Sequence, residues 1–303
     1  MLSEPTRLRV ISTDPGIDDA LALVFLRHFA PESMDCLVAT GGNVSAGTAG
    51  NNCVLLKERF GLVSQVFVGS DPPDFDGDAR QVHGSHGLGE VEAPSVCLPA
   101  FERLVHHLCA AGAEIDLLVL GPATDAAALL LHEECGPLVR SVVMMGGAFR
   151  EREGWRGNVT RYAEFNAFAD PAALQALLQS PCDCRLVPLD VTQAQPFTAE
   201  QLLEGLSGGE SAELVEHLVW HLQNAPGGPG AGKGLYPHDV IAAAAWLGLL
   251  EPEWRAVHLD QVVSKDTKRG LIVEGSAGPE FRYAAAVDHE QFLRLWEEVA
   301  KAL

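Results

Sequence analysis

Short apolar runs alternate with helical patterns along most of the chain. Short, mainly apolar runs lie at 8–12, 34–40 (MDCLVAT), 66–68, 115–120 (IDLLVL), 139–145 (VRSVVMM) and 185–189. Between them, apolar residues recur at helical spacing over 20–29, 51–59, 104–111, 124–131 and 172–179. A further helical pattern covers 214–223, and 240–250 (VIAAAAWLGLL) reads as a buried helix. This alternation predicts an α/β fold, Rossmann-like, with a mostly parallel central sheet flanked by helices. Strands that are apolar throughout, rather than at every second residue, predict a sheet covered on both faces. With no repeat and no linker, residues 1–303 are expected to form a single domain.

Two Gly/Pro-rich segments interrupt the pattern, at 71–89 and at 225–234 (APGGPGAGKG). Long loops of this kind often cover active sites. The second contains a G-x-x-x-x-G-K string at 227–233, but Gly234 stands where a phosphate-binding loop needs Ser or Thr. Nucleoside triphosphate binding is therefore not expected.

Composition narrows the choice of function. A formal net charge of -20 argues against nucleic acid as a partner, because phosphate contacts need clustered Lys and Arg. No apolar run approaches the roughly 20 residues of a membrane span. The first residues, MLSEPTRLRV, lack the apolar stretch of a signal peptide, so a cytoplasmic location is expected. The seven cysteines are odd in number and mostly sit in apolar segments, as reduced, buried thiols do. Cys182 and Cys184 form a CxC pair. No second Cys/His pair stands at zinc spacing, so a zinc site is not expected.

The richest chemistry lies in VISTDPGIDDALAL, 10–23. The first predicted strand ends at Thr13-Asp14, Pro15-Gly16 makes a turn, and Asp18 and Asp19 open a helix. Asp at a helix start is ordinary capping, and that explains either of these two alone. It does not explain Asp14 at the strand end, where α/β sheets bind ligands. A hard cation held by several carboxylates would explain all three. Two known Asp motifs do not fit. An aspartyl-phosphate phosphatase needs Asp where Gly16 stands, and the run lacks the spacing of an EF-hand loop.

At DPGIDDALAL the chain resembles the nucleoside hydrolases, the inosine-uridine-preferring N-ribohydrolases. Further likenesses follow in order: TGGNVSAGTAGNN (40–52), VHGSHGLG (82–89), LGPATD (120–125), MMGGAF (144–149), GNVTRYAEFNAFADPAA (157–173), PLDVT (188–192) and YPHDVIAA (236–243). The resemblance implies the nucleoside hydrolase fold and Ca2+-dependent hydrolysis of ribonucleosides of the uridine, inosine and cytidine class. It implies a homodimer or homotetramer. It also implies roles. Asp14, Asp19, Asp239 and the carbonyl of Leu120 would ligate Ca2+, and Asp14 would be the general base. Asp18, Asn43 and Asn166 would hold the ribose 2′- and 3′-hydroxyls, with Asn158 and Glu164 at the 5′-hydroxyl. Met145 would contact substrate. His83, Phe165 and His238 would surround the base, with His238 a candidate acid for the leaving group.

The chain departs from the family pattern at Gln193, where His is common, and in the charged stretch 150–156 (REREGWR). Two other functions share part of this residue set: a metal-dependent phosphatase, and a ribose- or nucleoside-binding protein without catalysis.

Overall fold

The computed structural model describes residues 7–32, 34–73, 79–150, 156–225 and 234–303. The 227–233 string lies outside the described residues. So do the interiors of 225–234 and 150–156, and residues 74–78 of the first Gly/Pro segment.

Nine strands form one sheet: β1 Arg7–Thr13, β2 Cys36–Ala39, β3 Gln65–Val68, β4 Glu114–Val119, β5 Val139–Met145, β6 Asp183–Val187, β7 Glu253–Val262, β8 Ile272–Gly275 and β9 Glu280–Ala286. Their spatial order is β3-β2-β1-β4-β5-β6-β9-β7-β8. The first seven in this order run parallel, and β7 runs antiparallel to both its neighbours. The order 3-2-1-4-5-6 is that of a doubly wound sheet, whose crevice opens where the winding reverses, between β1 and β4.

The sheet is covered on both faces, as the apolar strands predict. Successive residues of a strand point to opposite sides. Ile11, Leu37, Leu118 and Val143 enter one core with helices Ile17–Phe29, Ala46–Phe60, Glu210–Asn224, His238–Trp246 and His289–Ala302. Their neighbours Val10, Val38, Leu117 and Val142 enter the other, under helices Phe101–Ala111, Thr124–Leu131 and Pro171–Leu178.

Strand β5 and helix Thr124–Leu131 fall where the pattern puts them, and most other elements move by a few residues at their ends. Helix Ala46–Phe60 starts five residues before its apolar spacing because Ser45 caps it, accepting from the Thr48 amide. Gly61, at φ 65°, ends it in the left-handed conformation that glycine adopts freely. Strand β7 carries no apolar run longer than two residues. In EWRAVHLDQV only Leu259 and Val262 are buried, because the ribbon lies at the sheet edge.

The C-terminal helix closes the first core through Trp296. Its side chain is fully buried, and its indole N–H donates to the Leu202 carbonyl at 2.8 Å. Trp296→Ala is expected to cost about 3–5 kcal/mol, the range for deleting a buried aromatic. A chemical denaturation curve moved to lower denaturant would register it, whereas an unmoved midpoint would mean the helix contributes little.

Candidate active site

Asp14 follows the last residue of β1 and is 1% exposed. Its Oδ2 accepts from the Asn43 amide at 2.6 Å. Two glycines make room for it. A Cβ on Gly42 would meet Asp14 Oδ2 at 2.1 Å, and a Cβ on Gly121 would meet Oδ1 at 2.5 Å. Gly42 follows β2 and Gly121 follows β4, so loops after both neighbouring strands close on the carboxylate by presenting bare backbone.

Asp19 is buried beneath the site. Its Oδ1 accepts from the Thr13 hydroxyl at 2.5 Å and the Asp14 amide at 3.3 Å. Its Oδ2 accepts from the Gly16 amide at 2.9 Å and from Asn43 Nδ2 at 3.3 Å. These four donors fill a carboxylate's acceptor capacity. A metal ion at Asp19 would therefore displace one of the two long bonds.

Helix His238–Trp246 carries Asp239 in its first turn, and helix Ile17–Phe29 carries Asp18 and Asp19 in its own. The positive ends of both helices thus meet the acidic cluster. Carboxylate oxygens of Asp18, Asp19 and Asp239 all lie within 4.8 Å of one another. Two oxygens each about 2.3–2.6 Å from one ion are at most about 5 Å apart, so a single hard cation could span the three. The tightest triad includes Asp18, while Asp14 stands beside it, turned toward the Asn43 amide.

The four carboxylates are crowded and withdrawn from water. Burial first, then the neighbouring carboxylates, push Asp14 and Asp239 well above the usual carboxylate range. Asp19 is raised for the same reasons, and burial raises Asp18 to about 6. No Lys or Arg is among the described residues that line the cavity.

The cavity has a volume of about 550 Å³ and is lined by Asp14, Asp18, Asn43, His83, Leu120, Met145, Asn158, Glu164, Phe165, Asn166, His238 and Asp239, among others. Every site residue expected from the sequence thus lines it, except Asp19 in the floor below. Asn166 joins two strand ends, donating from Nδ2 to the carbonyls of Leu120 at 2.7 Å and Met145 at 3.1 Å. Glu164 caps the helix Phe165–Ala169, accepting from the Asn166 and Ala167 amides, and also from the Gly147 amide. Burial raises Glu164 to about 7 against the pull of those amides. Asn158, at the exposed rim, accepts from the Phe165 amide at 3.0 Å.

Two histidines, His83 and His238, line the cavity. His83 Nδ1 accepts from the Ile17 amide at 3.0 Å, and its Nε2 lies 3.9 Å from Asp18 Oδ1. Nearby, Asn52 Nδ2 donates to the carbonyls of Pro15 at 3.1 Å and His86 at 2.7 Å. His238 Nδ1 is 2.7 Å from the Thr192 hydroxyl, and its ring stacks near Tyr236. Burial lowers both histidines to about 4, so each is neutral at pH 7.

The family of inosine-uridine preferring nucleoside hydrolases matches residues 10–294. The chain belongs to that family. This nucleoside hydrolase is 32% identical over 246 residues to the non-specific ribonucleoside hydrolase RihC of Shigella flexneri, spanning 78% of this chain and 77% of the relative. It is 31% identical over the same length to RihC of Escherichia coli O1:K1, with the same coverage. Its fold matches that of the plant nucleoside hydrolase PpNRh1, with a TM-score of 0.81 at 24% identity over 99% of this chain and 100% of that one. It also matches the purine-preferring ribonucleoside hydrolase of Gardnerella vaginalis, with a TM-score of 0.80 at 21% identity over 98% and 100% of the two chains. The nucleoside hydrolase fold expected from the sequence is therefore the fold found, and the chain is an N-glycosyl hydrolase. Among the described residues no helix is long and apolar enough to cross a membrane.

Sequence reading did not single out Thr13, Thr192, Gly42 or Gly121. Thr13 could have been found beside Asp14, but Thr192 meets His238 only through the fold. For the glycines a decisive test follows. Gly42→Ala is expected to displace the Asp14 carboxylate and cut turnover by about 100-fold, the scale of an ångström-level misplacement. Circular dichroism should stay unchanged. Turnover within a factor of about 3 would show that Asp14 tolerates the shift.

Proposed function

We propose that this hydrolase cleaves the N-glycosidic bond of ribonucleosides of the uridine, inosine and cytidine class in a Ca2+-dependent reaction, releasing ribose and free base. The observation that carries this reading is the convergence of Asp18, Asp19 and Asp239 beside Asp14 at one cavity, Asp19 in its floor, whose described lining holds no basic residue. An all-oxygen donor set suits a hard cation that takes about 6–8 oxygen ligands. The name non-specific ribonucleoside hydrolase, borne by the relatives, supports a broad choice of base.

Asp14, Asp19, Asp239 and the Leu120 carbonyl would hold the ion, with Asp18 close enough to share it. When bound, Ca2+ supplies positive charge that fixes a water and lowers its pKa. Asp14, clamped by Gly42, Gly121 and the Asn43 amide, would take the proton from the water that attacks the anomeric carbon. Four aspartates carry four negative charges, and a divalent ion offsets two. The surplus faces the ribosyl oxocarbenium character of the transition state and stabilises it.

Asp18, Asn43 and Asn166 hold the 2′- and 3′-hydroxyls, because Asp accepts while Asn both donates and accepts. Asn158 and Glu164 hold the 5′-hydroxyl, and Met145 packs below the sugar. His83, Phe165 and His238 surround the base. With a Thr192 hydroxyl hydrogen on Nδ1, neutral His238 keeps its N–H on Nε2 as a hydrogen-bond donor to the departing base, and it delivers a proton as an acid only from the protonated ring. The working form is a homodimer or homotetramer in the cytosol.

Basic residues to receive a phosphate are missing from the described cavity lining, which disfavours a phosphatase. A non-catalytic nucleoside-binding protein is separated by turnover alone. Free base should be released from uridine, inosine and cytidine, lost on EDTA treatment and restored by CaCl2. Asp14→Asn should lower kcat by at least about 100-fold, general-base catalysis accounting for roughly 10²–10⁴. Binding without base release, or full activity in EDTA, would overturn the proposal.

A second prediction concerns stability. A carboxylate raised above its unfolded value holds extra protons in the folded state, so stability is lost as pH rises through the raised value. The metal-free protein should therefore melt lower at pH 7.5 than at pH 5, Asp18 titrating near 6. Added Ca2+ should raise the midpoint more at pH 7.5 than at pH 5. Equal shifts at the two pH values would argue that these carboxylates are not the ion's ligands.

A further inference from the structure

Away from the cavity, the fold brings Cys109, His132 and Cys135 together, with their potential ligand atoms all within 4.8 Å of one another. No motif spacing announces this cluster, because Cys109 closes helix Phe101–Ala111 while His132 and Cys135 precede β5. The two sulfurs are 2.7 Å apart, about 0.7 Å beyond the length of a bonded pair. Cys135 is buried and Cys109 is partly exposed.

That spacing discriminates between two chemistries. A tetrahedral zinc ion with Zn–S bonds of about 2.3 Å sets its sulfurs about 3.8 Å apart, so zinc would have to force this pair open. A disulfide needs only the last short approach. We propose that Cys109 and Cys135 are a reversible dithiol–disulfide pair, closed by hydrogen peroxide and reopened by a dithiol reductant.

The step balances. Cys109, the more accessible, attacks the peroxide oxygen as thiolate. An S–O bond forms, the O–O bond breaks, and the departing hydroxide takes a proton to become water. The Cys135 sulfur then attacks the sulfenic sulfur, the S–S bond forms, and a second water leaves with the thiol proton. His132, within reach of both sulfurs, is the base at hand for these protons. The sulfurs lose two electrons in all and the peroxide gains them. Burial raises the Cys135 thiol to about 12, which suits it to the resolving rather than the initiating role. The bond would join positions 26 residues apart in sequence and tie the start of β4 to the start of β5, at the end of the sheet away from the catalytic cavity.

The sequence offers a direct readout. Residues 104–140 contain no internal Lys or Arg and hold Cys109 and Cys135 as their only cysteines. Trypsin therefore releases both on one peptide. The full-length, Ca2+-loaded protein is treated with hydrogen peroxide, then with N-ethylmaleimide, and digested without reductant. The expected peptide carries no label and is lighter by two hydrogens. After dithiothreitol it carries two labels. Oxidised protein should melt roughly 3–8 °C higher than reduced, as a loop-closing disulfide does. Cys109→Ser should remove this difference and leave one labelled thiol on the peptide. Two labels after peroxide, at a dose that oxidises exposed Cys97, would overturn the proposal. So would one zinc per chain in the purified protein that is lost in Cys109→Ser.

Discussion

Buried like charges govern this molecule. Asp14, Asp19 and Asp239 are almost wholly removed from water, and Asp18 is nearly so. At an effective dielectric near 20, two unit charges about 4 Å apart repel by roughly 4 kcal/mol. A fold that holds four such groups together must supply compensation from elsewhere. It does so with backbone amides at Gly16 and Asn43, the Thr13 hydroxyl and the amino ends of two helices. These donors leave the carboxylates still raised above their ordinary range, and a divalent cation would supply the positive charge that favours their ionised form.

The doubly wound sheet explains why these groups collect in one place. Strands β1, β2 and β4 end side by side, and their loops deliver Asp14, Asn43 and Leu120 to the crevice where the winding reverses. Strand β5 adds Met145, and Asn166 ties β4 to β5 from above. Asp14 and Leu120 each directly follow the last residue of a strand, so sheet register sets their positions. The two cores on either face hold that register, since slipping a strand by one residue would exchange its two buried faces.

Much of this was legible in the sequence. Apolar runs such as IDLLVL mark strands covered on both faces, and six of them carry the parallel half of the sheet through β6. The β7 to β9 ribbon was not legible, because at an edge the buried positions are few and strand residues such as Arg255 and Asp260 are exposed. At the site, the ordered motifs point to the cavity residues. What they do not convey is distance. Asp18 joins the tightest acidic triad while Asp14 bends toward an amide, and Thr192 lies 46 residues from the histidine it orients. Cysteine spacing was uninformative for a related reason, since Cys109 and Cys135 meet only through the packing of a helix on the segment before β5.

Asn52 bridges the Pro15 and His86 carbonyls, and His83 accepts from the Ile17 amide. The histidine segment is thereby stitched to the turn that presents the aspartates. An engineer transplanting this segment from a cousin would inherit a hidden dependency. The graft must be compatible with a side chain on a different helix, at position 52. Without that match, the imported histidine would arrive without the anchorage that aims it.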